Sequence, residues 1–213
     1  METKKLKILE LFKGTGSVGK VANKLGLNVI SLDFEEKYKP DILTDILEWD
    51  YKKWSKDNNF KPNFIWASPP CNTYSPLAYP LKERNTQTAT PCSKRAKEGT
   101  KILYKTIEII KYFKKLNPKL LFVIENPKGM MRNDKEIMKL GRDNTLYCSY
   151  GDFKRKSTDF FNNVPDGLKL IQSTSCPNPE KILSVVDLKT IEQRYSIPSK
   201  LIKDILNRML KEY

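Results

Sequence analysis

Short apolar runs separated by polar turns and amphipathic stretches organise the first 126 residues of the chain. Four apolar runs, each of the length of a buried strand, occupy residues 5–12, 27–33, 63–68 and 119–126. A glycine-rich turn and a short helix follow the first run, Gly26 is expected to end that helix, and residues 40–49 form a third short element. A strand, a helix and a second strand within about thirty residues indicate a βαβ unit. The pattern predicts an α/β fold, a mostly parallel sheet with helices on both faces.

The second half of the chain alternates between helical and strand-like patterns. Residues 99–117 and 196–210 carry apolar side chains at helical spacing, and Pro118 follows the first of these helices. Residues 145–151, 158–163 and 168–173 are predicted as further strands or a hairpin. No repeat and no linker interrupts the pattern, so we expect residues 1–213 to form a single domain.

Reactive or ligand-like residues follow three of the predicted strands. They are Gly14-Thr15-Gly16 after the first strand, Ser68-Pro69-Pro70-Cys71 after the fourth element, and Glu125-Asn126 at the end of the next strand. Ligands of open parallel α/β sheets bind beyond the carboxyl ends of the strands. We therefore expect these three segments to meet in one site.

The glycine turn allows a ligand to approach the backbone closely. Glu10, inside the preceding strand, would repel a phosphate group, so a ligand with an amino group and a ribose, such as S-adenosylmethionine, fits better. Asp33 is placed to accept from ribose hydroxyls and Asp45 from an adenine amino group. Alternatively, the glycines only form a tight turn and the acids are solvated.

The cysteine behind two prolines is the candidate nucleophile. The chain contains no histidine, which excludes Cys-His and Ser-His catalytic pairs and histidine-containing zinc sites. A thiolate that attacks C6 of cytosine makes C5 nucleophilic, so that C5 can accept a methyl group. Cys71 is predicted to supply the thiolate and Glu125 the acid near N3 of the base. The alternative is that Cys71 is a small buried residue in a proline turn.

Charge and composition indicate the partner. Lys and Arg number 39 against 25 Asp and Glu, a net charge of +14, which favours a polyanion such as nucleic acid. Alternatively, the excess of lysine reflects the composition of an AT-rich genome rather than binding to a polyanion. The sequence shows neither a membrane-spanning run nor a signal peptide, so an intracellular protein is expected. The four cysteines lack Cys-x-x-Cys spacing, and neither a disulfide framework nor a metal site is predicted.

Residues 71–100 are polar and aperiodic, and we predict a mobile loop that covers the substrate. Basic residues are frequent between positions 82 and 105, where phosphate contacts would order the loop. The candidate substrate contacts are Asn72, Ser75, Arg84, Lys94, Arg95 and Asn126.

Three segments in this order, LELFKGTGS, PPCN and IENP, resemble motifs I, IV and VI of the DNA cytosine-5 methyltransferases, and SIPSKLIKDIL is similar to the last motif of that family. The resemblance implies a Rossmann-like S-adenosylmethionine-dependent fold, with Cys71 as nucleophile and Glu125 binding and protonating the base. YGDFKRKST resembles the arginine motif of the family, with Arg155 as its catalytic arginine. The implied cofactor contacts are Glu10, Phe12, Gly14, Thr15, Gly16, Asp33, Phe34, Asp45, Ile46, Ser68 and Pro69.

The chain departs from the family where a target-recognition domain usually lies. Only residues 159–196 are available there, and we expect a minimal remnant. This implies low sequence specificity, a single-stranded or RNA substrate, or a protein partner that supplies recognition, with DNA favoured over RNA. Ser68-Pro69-Pro70 also fits an amino-methyltransferase motif, although Cys71 does not. A non-catalytic binding module is the remaining alternative.

Overall fold

One seven-stranded sheet forms the centre of the computed structural model, which describes residues 5–172, 175–177, 179–184 and 187–213. The strands are β1 Lys7–Leu11, β2 Asn28–Asp33, β3 Ile42–Leu43, β4 Phe64–Ala67, β5 Leu121–Pro127, β6 Gly141–Leu146 and β7 Ser157–Asn162. Their order is β3-β2-β1-β4-β5-β7-β6, and β7 is antiparallel to both of its neighbours while the other pairs are parallel. The predicted mostly parallel sheet is confirmed.

Helices cover both faces of this sheet. They are α1 Ser17–Lys24, α2 Tyr51–Asp57, α3 Lys94–Leu116, α4 Ile191–Tyr195 and α5 Ser199–Glu212, joined by 3-10 helices at Glu36–Tyr38, Pro76–Leu81, Met130–Asn133, Ile137–Lys139, Tyr147–Tyr150 and Pro179–Lys181. Successive strand residues point to opposite faces. One row of side chains therefore packs with α2 and α3, as Leu9 and Ile65 do, and the next row packs with α1 and α5, as Ile8 and Phe64 do.

Two helices differ from the sequence prediction. α2 was not predicted. Asp50 caps it by accepting from the main-chain N–H of Lys53, and its buried residues are Tyr51 and the polar Ser55, which give no apolar periodicity. α3 begins at Lys94 rather than at residue 99, because Ser93 caps it by accepting from the N–H of Ala96. The residues before position 99 are mostly charged and show no apolar periodicity, so the pattern did not predict this first turn of α3.

The segment predicted as a mobile loop contains regular structure. Pro76–Leu81 is a 3-10 helix, and residues 94–100 belong to α3. Among the predicted later strands, residues 158–162 lie in β7, but residues 168–172 form no strand, and Ser173 lies outside the described residues. Residues 159–162 of the expected remnant are thus part of the central sheet.

Cys148 and Cys176 form a disulfide, with a Cα–Cα distance of 5.4 Å. The sequence prediction of no disulfide was wrong in this pair. Cys148 lies in the 3-10 helix Tyr147–Tyr150, and Cys176 lies 28 residues further along the chain. Only the folded chain brings two cysteines with this spacing together. Cys71 and Cys92 are free.

Candidate active site

A cavity of about 380 Å³ lies at the carboxyl ends of β1, β2, β4 and β5. The three predicted strand-end segments meet there, as expected for a parallel sheet. Its lining includes twelve of the predicted site residues: Glu10, Phe12, Gly14, Thr15, Asp33, Phe34, Ser68, Pro69, Cys71, Asn72, Glu125 and Asn126. The lining also includes residues that sequence reasoning missed, among them Lys156 and Tyr195.

The glycine turn is tied to the end of β2 through Asp33. Oδ2 of Asp33 accepts from the main-chain N–H of Gly14 at 2.8 Å, and Oδ1 accepts from the N–H of Glu35 at 3.0 Å. Gly14 and Gly16 have φ angles of +47° and +69°, a left-handed conformation that favours glycine. The Asp33 carboxylate therefore lies next to the backbone of the glycine turn, and the exposed ring of Phe34 lines the same cavity.

Glu10 is a buried acid with an unused oxygen. The side chain is 2% exposed, and Oε2 has no hydrogen-bond partner among the described residues. Gly19 of α1 packs directly above it, since a Cβ at that position would lie 2.8 Å from Oε2. Burial raises the pKa of Glu10 to about 7, against the lowering effect of the Gly19 backbone and of Lys13. The cavity thus offers an acceptor that lacks a donor.

Backbone hydrogen bonds hold the turn around Cys71. The main-chain N–H groups of Tyr74 and Ser75 both donate to the carbonyl oxygen of Cys71 at 2.9 Å. Nδ2 of Asn126, at the end of β5, donates to the carbonyl oxygen of Pro69 at 3.0 Å. The prolines and these contacts hold Cys71 on a rigid turn, and the residue is half-buried.

The protonation of Cys71 depends on opposing influences. Burial raises the pKa of the thiol, the Lys156 ammonium lowers it, and the Glu125 carboxylate raises it further. Burial dominates, so the pKa lies above its ordinary value and the thiol is protonated at neutral pH in the free protein. Lys156 is the cation that opposes this effect.

Glu125 contacts two side chains that the sequence analysis did not select. The Tyr147 hydroxyl donates to Oε1 at 3.0 Å, and Nζ of Lys156 lies 3.7 Å from the same oxygen. All three side chains are buried. Together with Cys71 they place a thiol, a carboxyl group, an ammonium group and a phenol in one corner of the cavity.

Arg155 does not reach this corner. Its side chain is exposed and lines a separate cavity together with Cys176, Ile182 and Ser184. Residues alternate in direction in this extended segment, so Lys154 and Lys156 point inwards and Arg155 points outwards. The structure therefore does not bring Arg155 to Glu125, and Lys156 lies beside that carboxyl group instead. The catalytic role of Arg155 stays a prediction.

Arg84, predicted as a phosphate contact, is buried rather than open to a polymer in this structure. The guanidinium donates to the Thr73 hydroxyl and to the carbonyl oxygens of Ala89 and Ala96, and it stacks on Tyr74 at 3.6 Å from the ring centre. Burial lowers its pKa. Arg84 thus holds the segment that follows Cys71 against the start of α3.

The remaining predicted residues lie outside the cavity lining. Gly16 lines a neighbouring cavity, Asp45 is exposed and accepts from the N–H of Leu47, and Ile46 is part of the core. Ser75 follows the cysteine turn and is half-buried, while the exposed Lys94 and Arg95 begin α3, where Arg95 pairs with Glu83. The adenine contact of Asp45, the cofactor contact of Ile46 and the substrate contacts of Ser75, Lys94 and Arg95 stay predictions.

Within the described residues, no group of three or more acidic, cysteine or histidine side chains is arranged to hold a metal ion. No helix of the described part of the chain has both the length and the apolar character needed to cross a bilayer.

Comparison with known proteins identifies the family. No protein-family model matches the chain. Over 186 residues the chain is 34% identical to a probable DNA (cytosine-5)-methyltransferase of Frog virus 3 (isolate Goorha), a match that covers 83% of this chain and 80% of that protein. The solved S. pombe Dnmt2 methyltransferase aligns with a TM-score of 0.47 at 12% identity, over 75% of this chain and 49% of that one. The Entamoeba histolytica methyltransferase EhMeth aligns with a TM-score of 0.49 at 14% identity, over 81% and 58%. The chain thus spans about half the length of these two solved proteins. From its 34% identity over most of both sequences, the chain belongs to the DNA (cytosine-5)-methyltransferase family.

Proposed function

We propose that the protein transfers a methyl group from S-adenosylmethionine to C5 of cytosine in DNA. The observation that carries this proposal is the convergence of Cys71, Glu125 and Lys156 in one cavity with the glycine turn and Asp33. The name of the viral relative supports DNA as the substrate. Transfer to cytosine in RNA is the second candidate, since the same groups would serve both polymers.

The cavity fits the cofactor in the chemistry of its acceptors. The unused oxygen of Glu10 would accept from the amino group of the methionine moiety. Each oxygen of Asp33 already accepts one main-chain hydrogen bond and keeps a lone pair for the ribose hydroxyls. When bound, the cofactor supplies the methyl group.

The side chains of the chain would act on the base in a fixed order. The Sγ of Cys71 forms a bond to C6 as Glu125 donates a proton to N3, and the electrons of the C5–C6 double bond become available at C5. After C5 is methylated, the C5 proton passes to solvent, the C5–C6 double bond is restored, and the C6–S bond breaks to release the thiolate. Because the free thiol is protonated, its proton must pass to solvent when the base binds, and Lys156 would stabilise the resulting thiolate.

Recognition of the polymer is proposed to depend on charge more than on sequence. The exposed Lys94 and Arg95 would contact phosphates at the start of α3, beside the segment that follows Cys71. The short segment between β7 and α4 leaves little surface for base reading, so a protein partner or low specificity is expected. The net charge of +14 supports an interaction with a polyanion.

Covalent trapping tests the proposed function. Wild-type protein and Cys71→Ala would be mixed with S-adenosylmethionine and 5-fluorocytosine oligonucleotides as duplex DNA, single-stranded DNA and RNA. Fluorine does not leave as a proton does, so we expect a denaturation-resistant adduct with the wild type and DNA only. An adduct with RNA alone would show that the substrate is RNA rather than DNA. If calorimetry shows that the cofactor binds and yet no substrate is trapped, the transfer proposal is wrong.

A further inference from the structure

Tyr147 is a fully buried tyrosine whose hydroxyl reaches the carboxyl group proposed to protonate the base. The hydroxyl donates to Oε1 of Glu125 at 3.0 Å. Burial, and next the charge of Glu125, raise the pKa of Tyr147 well above its ordinary value, so the phenol keeps its proton and remains a donor. The phenol is therefore available as a donor to Oε1.

Lys156 acts on the same oxygen of Glu125. Its Nζ lies 3.7 Å from Oε1 and 5.1 Å from the centre of the Tyr147 ring. No hydrogen bond within the described part of the chain ends on Oε2. One oxygen of the carboxyl group is thus engaged by a donor and a cation, whereas the other is left for the substrate.

This asymmetry decides which oxygen carries a proton. A proton on Oε1 would compete with the donated hydrogen bond of Tyr147 and would lie against the ammonium group of Lys156. A proton on Oε2 meets neither obstacle. We propose that Tyr147 is a positioning residue which, with Lys156, directs the proton of Glu125 to Oε2, where it is delivered to N3 of the base. This inference rests on the proposed function.

The proton step balances in both directions. As the Cys71 sulfur bonds to C6, the Oε2–H bond breaks, the proton passes to N3, and Glu125 is left as a carboxylate. When the thiolate leaves after methylation, N3 returns the proton to Oε2. Tyr147 keeps its own proton throughout and orients the carboxyl group without touching the base.

Tyr147→Phe tests the inference, because it removes only the hydroxyl. Tyr150→Phe is the matched control: Tyr150 lies in the same 3-10 helix and is also buried, but its hydroxyl donates to Asp204. Single-turnover transfer and 5-fluorocytosine trapping are measured together with the dissociation constants of cofactor and oligonucleotide. We expect Tyr147→Phe to lower kcat by about 10- to 100-fold with unchanged KM and cofactor affinity, and Tyr150→Phe to match the wild type.

A double variant separates positioning from a structural role. If Tyr147 acts through Glu125, the variant Glu125→Gln/Tyr147→Phe is no slower than Glu125→Gln alone. If Tyr147→Phe does not fold, Lys156→Met takes its place and is measured in two backgrounds. Its effect on the Cys71 thiolate is the same in both, so an action through Glu125 predicts a larger loss of kcat in the wild-type background than in Glu125→Gln, and equal losses would overturn the inference.

Three results would overturn the inference. They are a Tyr147→Phe rate equal to that of the wild type, an equal loss of rate and cofactor affinity, or additive losses in the double variant. In each of these the wild type still transfers methyl groups, so the proposed function stands. A wild type that transfers to no substrate would instead overturn the proposed function and, with it, this inference.

Discussion

The main-chain N–H of Gly14 donates a 2.8 Å hydrogen bond to Oδ2 of Asp33. This contact joins the turn after β1 to the end of β2, so one carboxylate both shapes the glycine turn and faces the proposed ribose site. Substitution of Asp33 is therefore a direct test of the proposed cofactor site.

We expect Asp33→Ala to weaken S-adenosylmethionine binding by about tenfold or more, because the variant loses the ribose acceptor and loosens the turn. Isothermal titration calorimetry measures the change. Asp57→Ala is the control, since Asp57 lies at the surface in an ion pair with Lys53. Unchanged affinity in Asp33→Ala would refute the assignment.

Glu10 is expected to make stability depend on pH. Its pKa is about 7 in the folded state and 4.5 when unperturbed, so the folded state binds more protons between these values. Its contribution is fully present below pH 4.5 and is lost as the pH rises through 7, at a cost of roughly 3 kcal/mol at most. Glu10→Gln should remove this dependence.

Urea unfolding of wild type and Glu10→Gln between pH 5 and 8 measures the effect. The free energies of unfolding should converge at low pH, and the variant should become the more stable protein at pH 8. Parallel curves would show that the Glu10 carboxyl group does not titrate in this range.

The reactivity of Cys71 should follow its raised pKa. In a Cys92→Ser background, which removes the other free cysteine, iodoacetamide should alkylate Cys71 slowly at pH 7 and faster as the pH rises beyond the ordinary value of a thiol. Lys156→Met removes the stabilising cation and should slow the reaction at pH 8 by about 2- to 10-fold. Lys156→Arg serves as the charge-conserving control. Equal rates for all three proteins would exclude an effect of Lys156 on the thiol.

The Cys148–Cys176 disulfide is expected to stabilise the fold. Cys176→Ser should lower the free energy of unfolding by about 2–4 kcal/mol, because the unfolded chain regains the freedom of the closed loop. Denaturant unfolding with and without reductant provides the measurement, and Cys92→Ser is the control. A wild type that is insensitive to reductant would contradict the prediction.

Arg84 is expected to stabilise the fold, and Lys94 is expected to contact phosphates, so variants at the two positions should have different effects. Arg84→Lys should lower the unfolding free energy by about 1–3 kcal/mol, since lysine leaves several of the buried acceptors unpaired, and it should leave the salt dependence of DNA binding unchanged. Lys94→Gln should keep stability and reduce the slope of log affinity against log salt by about 1. Salt-dependent binding titrations distinguish the two variants. If Arg84→Lys also reduced the slope of log affinity against log salt, Arg84 would be a phosphate contact.

The positions of Glu10, Asp33, Cys71 and Glu125 were accessible from the sequence. Each lies at or just past the end of a short apolar run, and parallel strands bring such ends to one edge of the sheet. The hydrophobic pattern and the parallel topology were sufficient to predict these positions. Parallel strands all end at the same edge of the sheet, whatever their side chains pack against.

Contacts between segments distant in sequence were decided only by the tertiary structure. Tyr147 meets Glu125 across 22 positions, Arg84 is enclosed by Thr73, Ala89 and Ala96, and Cys148 bonds to Cys176 across 28 positions. Lys156 rather than Arg155 lies beside Glu125 because the direction of a side chain depends on the register of the extended segment before β7. The sequence thus determined which chemical groups reach the edge of the sheet, whereas packing determined which of them face one another, because partners and side-chain directions arise only when distant segments are brought into contact.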